Sequence, residues 1–148
     1  MNTSDKISLL TKSWEIIQNL AKSNGELAWK VRVWGLGIWA ALIAYSFKEQ
    51  DQSIVLVALF QLIIIFFIEL SARQIQYKFI ERSLEIERML NDLLVGSEIN
   101  IPAGGISTQI DTPSILDLIN LLKLKRWLIW LPYASLLVAS YIAWCLSA

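Results

Sequence analysis

The chain has 148 residues, no net charge at neutral pH and no histidine, with 55% hydrophobic and 18% charged residues. That length suits one structural unit, and a neutral balance gives no basic field for nucleic acid. Without histidine the commonest general base and metal ligand are missing. The lone Cys145 makes neither an internal disulfide nor a metal site. No enzyme, cofactor or metal is expected. The polar start lacks an apolar run before a small-residue cleavage site, so no cleaved signal peptide is expected.

Residues Ser4 to Asn24 read as an amphipathic N-terminal helix, with Ser4 as N-cap, Asp5 in the first turn and Asn24-Gly25 as a stop. Ile7, Leu10, Trp14, Ile17 and Ala21 recur at spacings of three and four, widened by Leu9, Ile16 and Leu20. Such a helix lies on a membrane surface or its own bundle, or it binds a partner or another copy of itself. The first membrane segment is Val33–Phe47. Its fifteen residues reach only about 22 Å, so the helix starts near Ala28, with Lys30 and Arg32 snorkelling. Gly35 and Gly37 suit close helix packing.

The polar Lys48–Ser53 connection turns the chain back into Ile54–Leu70, interrupted only by Gln61 and Glu69. A mid-membrane amide is costly unless bonded. Gln61 therefore makes either a structural contact within the protomer or part of a polar ring about a symmetry axis. Ser135 and Ser140 are its candidate partners within the chain. Glu69 lies one turn from Arg73, as an interface-anchoring pair or an ion gate.

No breaker follows until Gly96, so this helix runs on past Leu70 for a total length of about 60 Å. Ala72, Phe79, Ile86 and Leu93 recur at seven and predict an oligomerisation stripe. Ile115–Leu122 is the candidate cover for part of it. Residues 96–112 read as a loop holding Pro102, Gly104 and Gly105. Phosphate binding there is disfavoured, because neither a Walker lysine nor GxGxxG is present. A helix restarts at Asp111 or Thr112 as N-cap, with Pro113 in its first turn. It flows through Lys123, Lys125 and Arg126 into a third membrane segment, Trp127–Leu146, which Pro132 should kink.

Of thirteen basic residues, five precede the first segment, one lies in the short loop, seven lie between the second and third segments, and none follows. The positive-inside rule then places the N-terminus in the cytoplasm and the C-terminus outside the cell inner membrane. Trp29, Trp34, Trp127 and Trp130 fall near the inner face, and Tyr45, Phe47, Tyr141 and Trp144 near the outer one. The expected fold is an all-α polytopic membrane protein in four parts. These are the amphipathic helix 1–25, a two-pass hairpin 28–71, a cytoplasmic helical hairpin 72–126, and a third transmembrane helix 127–148.

With its best-patterned run IELSARQIQYKFIERSLEIERML (Ile68–Leu90), the arrangement over roughly the first 95 residues resembles the SLATT-like proteins, small two-transmembrane effectors of bacterial conflict systems. The third membrane segment departs from that pattern. The resemblance implies an oligomeric, pore-forming effector of anti-phage defence that depolarises the membrane when a cytosolic sensor is triggered. Expected partners are membrane lipids, further copies of the chain and that sensor, and no nucleic acid. The alternative is a non-conducting membrane anchor or scaffold whose cytoplasmic hairpin recruits a soluble partner.

Overall fold

The computed structural model describes residues 3–97, 109–110 and 114–146. The described residues are helical apart from short connections, in the order α1 (Thr3–Glu49), α2 (Gln52–Leu94), α3 (Ile115–Leu121), a 3-10 turn (Leu124–Arg126) and α4 (Trp127–Leu146). Three helical stretches, Thr3–Glu49, Gln52–Leu94 and Leu124–Leu146, are long and apolar enough to cross a membrane. Most of the Gly96–Thr112 loop, with Pro102, Gly104 and Gly105, lies outside the described residues. So do Asp111, Thr112 and Pro113.

The single unit expected from length is instead two compact ones, and both α1 and α2 contribute to each. The first comprises Met1–Gly25 and Ile75–Thr112. Its core is one seam in which Leu10, Ile17 and Ala21 of α1 meet Phe79, Ile86 and Leu93 of α2. Ile7, Trp14, Ile75, Met89 and Leu90 pack around it. The two helices run antiparallel: Gln18 donates to Ser83 at 3.0 Å, and Gly25 lies beside Gln76. Each fully buried aliphatic side chain here contributes about 1.5–3 kcal/mol. Phe79, Ile86 and Leu93 are thus covered within the chain, by the N-terminal helix rather than by Ile115–Leu122. Two sets of apolar residues repeating near seven can zip together, and joined helices meet more readily than separate chains.

The second unit comprises Glu26–Gln74 and Pro113–Ala148. Here α1 and α2 form an antiparallel hairpin closed by only Gln50 and Asp51. Gln50 adopts φ 52°. The Asp51 carboxylate accepts from the Ser53 amide at 2.8 Å and its hydroxyl at 2.7 Å, capping α2. Helix α4 joins them, with Trp39 Nε1 donating to Ser140 Oγ at 2.9 Å and Gln52 to the Trp144 carbonyl at 3.4 Å. Ala28, Ala58 and Ala143 are buried, and small residues let helices approach closely. Trp34, Phe60 and Tyr141 are exposed, as lipid-facing aromatics are.

Several local expectations change. Helix α1 already includes Ser4 and passes through Asn24 and Gly25 without a stop. Asn24 Nδ2 turns back to the Leu20 carbonyl at 2.9 Å, within the helix. Gly25 is a site of close approach, because a Cβ there would meet the Gln76 amide at 2.5 Å. Gly35 does the same against Ile65, whereas Gly37 has nothing within 4 Å. Helix α3 is capped by Ser114, whose hydroxyl accepts from the Asp117 amide while the Asp117 carboxylate accepts from the Ser114 amide. It does not flow into α4. The chain breaks at Lys123, with ψ 147°, before the 3-10 turn.

Candidate functional site

Glu69 belongs to the most apolar of the three candidate spans and is completely buried. An isolated buried carboxylate costs several kcal/mol, so it must be ionically paired and hydrogen-bonded. Donors from all three long helices supply this. Arg32 of α1 makes a two-pronged contact, Nε to Oε2 at 2.9 Å and Nη2 to Oε1 at 2.7 Å. Arg73, one turn along α2, reaches Oε1 with Nε at 3.4 Å. From α4 the Tyr133 hydroxyl donates to Oε2 at 2.5 Å. The fork of a guanidinium matches the two carboxylate oxygens and fixes the register of α1 against α2.

The third helix is tied in a second way. Pro132 lacks an amide hydrogen, so the carbonyl four residues earlier, on Leu128, loses its helical partner. Arg32 Nη2 approaches that carbonyl at 3.5 Å and the next one, on Ile129, at 3.2 Å. Helix α4 nevertheless continues from Trp127 to Leu146 across the proline. The guanidinium also lies 5.9 Å from the Tyr133 ring centroid, within cation–π range. Arg32 is therefore not a snorkelling residue. Its side chain is 13% exposed and turned into the bundle.

The polar residues singled out from sequence have separate places. Glu69 and Arg73 meet. Gln61, about 12 Å away along α2, does not join them. Its Nε2 donates to the Gly35 carbonyl at 3.3 Å, and its Oε1 is buried without a partner among the described residues. The neighbour is thus a backbone carbonyl of α1, in a stretch whose side chains gave no sign of one. Ser140 is engaged by Trp39, and Ser135 bonds the Pro132 carbonyl at 2.7 Å. Of the stripe, Ala72 is buried in the second unit and Phe79, Ile86 and Leu93 in the first.

Sequence reasoning missed Arg32 and Tyr133 as cluster members. The available signal was Arg32 itself, a positive charge at the edge of the first apolar segment, opposite in sign to Glu69 near the end of the second. Chemically the cluster ties α1, α2 and α4 together through one carboxylate, and neutralising that carboxylate removes the ionic part of the tie. Comparison of the chain with protein-family models, curated proteins and solved structures gives no match.

Proposed function

We propose that this protein is a membrane effector that, assembled from several copies, permeabilises or depolarises the inner membrane when a cytosolic sensor triggers it, as a pore-forming component of bacterial anti-phage defence. The N-terminus and the region between the second and third spans face the cytoplasm in this reading. One observation carries it: the fully buried Glu69 held by Arg32, Arg73 and Tyr133. Charged groups inside membrane segments are expensive and mark working parts. The cluster acts as the clasp of the closed state. Parting α4 from α1 and α2 would expose a guanidinium, a carboxylate and the Leu128 and Ile129 carbonyls to one another across a widened interior, where water can enter.

The test is Glu69→Gln, which keeps the side chain's size and removes its charge. Breaking one partner of a buried pair costs about 3–5 kcal/mol. The variant is expected to depolarise cells without a trigger, read with a membrane-potential dye, with Tyr133→Phe giving a weaker effect. Membrane-inserted variants that both leave the potential at the native level would overturn it.

A second reading is supported by a different observation. Every charged member of the cluster finds its partner inside one chain, and so does the Gln61 Nε2 donor. That suits a non-conducting scaffold that recruits a soluble partner through its water-facing helices. Purified protein that never conducts in planar bilayers, with its activator supplied, leaves the scaffold as the function.

A further inference from the structure

Helices α2 and α4 of the membrane unit leave a partly open crevice of about 190 Å³ between them. Leu62, Ile63 and Phe66 line it from α2, and Trp130, Ala134 and Leu137 from α4. Tyr133 contributes as well, its ring 4.9 Å from that of Phe66. The volume equals roughly six waters at about 30 Å³ each. Water is a poor occupant, because it needs two to four polar partners and these walls are hydrocarbon and aromatic faces. Both helices belong to stretches long and apolar enough to span a membrane, so the surrounding medium is acyl chain.

Charge selects among the lipids. Just before α4, Lys123 and Lys125 are exposed and Arg126 follows them, one to two turns ahead of Trp130. Basic residues just ahead of a helix that lines an intramembrane cleft, on the side where positive charge accumulates, attract anionic headgroups. We infer that the α2–α4 crevice is a binding site for an anionic phospholipid, one acyl chain lying on Phe66, Ala134 and Leu137 and the headgroup at Lys123 and Lys125. The inference rests on the membrane reading but not on conduction. Tyr133 both lines the crevice and donates to Glu69, so the bound chain also buttresses the helix pair that the cluster holds.

The experiment is native mass spectrometry of the full chain, released from detergent containing equal amounts of phosphatidylglycerol and phosphatidylcholine. One phosphatidylglycerol per chain is expected to be retained, about tenfold in preference to phosphatidylcholine. Ala134→Phe, which fills the crevice, should abolish retention of both lipids. Because that variant could disturb packing, Lys123→Gln with Lys125→Gln provides a separate arm on an exposed turn. It should remove the preference while retention persists. Equal retention of the two lipids by the native chain, or an unchanged preference in the double lysine variant, overturns the site. A helical, inserted Ala134→Phe that still holds phosphatidylglycerol does so too. None of these readouts involves conductance, so a protein that binds lipid but never conducts removes the pore reading alone.

Discussion

Glu69 is where the chemistry of the membrane unit converges, yet only Arg73 among its partners is near it in sequence. Arg32 is 37 positions away and Tyr133 is 64. A local pattern can flag an i, i+4 pair such as Glu69 with Arg73, because helix geometry alone brings them together. It cannot flag a contact whose distance depends on how two helices register. Arg32 therefore read as a snorkelling residue, although the same snorkelling reach lets a guanidinium turn inward when a carboxylate waits there. Asp51 gives a prediction at this scale. Bonds from the Ser53 hydroxyl and amide hold its carboxyl below the usual aspartate value. A depressed carboxyl contributes stability above its ordinary value and loses that contribution as pH falls through the lowered one. Protection of the Ser53 amide against hydrogen exchange should therefore drop on acidification into that window. Asp51→Asn should make it insensitive to pH there. Protection that stays flat in the native chain would contradict the cap.

At the scale of whole helices, the three apolar segments and the long run of α2 past Leu70 were legible, because a stretch without breakers and with helical apolar spacing has few alternatives. Trp127–Leu146 also matches α4 at both ends, but two other boundaries were not legible. Asn24-Gly25 has the composition of a stop, but glycine serves close approach as readily as termination, and only the neighbour at Gln76 separates the two uses. The break at Lys123 has no glycine or proline to announce it, and nothing in the local sequence accounts for it. The two glycines of the first span make a contrast that can be measured. A Cβ at Gly35 would press on the Ile65 branch, with Cβ and Cγ1 both 3.1 Å away, whereas Gly37 faces open space. Gly35→Ala should lower stability in detergent by about 1–3 kcal/mol through overpacking. Gly37→Ala should raise it by up to about 1 kcal/mol, as for any helical glycine. Equal effects in thermal melts would place the helix contact elsewhere.

Over the whole molecule, the seven-residue recurrence of Phe79, Ile86 and Leu93 was visible in the sequence, but its partner was not. Periodicity identifies a face that needs covering and is silent on whether the cover comes from the same chain. The N-terminal helix, with Leu10, Ile17 and Ala21, covers it. Ile17→Ala and Ile86→Ala, which face one another in this register, should each cost about 2–5 kcal/mol. In a double-mutant cycle they should couple, while the particle mass in detergent stays as in the native protein. A smaller particle would mean that the seam joins separate copies. The two-residue turn at Gln50–Asp51 bears on how such a chain reaches the bilayer at all. A lone charged side chain at the centre of an inserting helix carries a penalty of about 2.5–3.5 kcal/mol on translocon scales. Arg32 and Glu69, near the ends of their apolar segments, would each incur part of it if α1 and α2 partitioned one after the other. Joined by so short a turn, the two helices can leave the translocon as one neutral hairpin, and biogenesis then commits only once the ribosome has made the residues beyond Glu69.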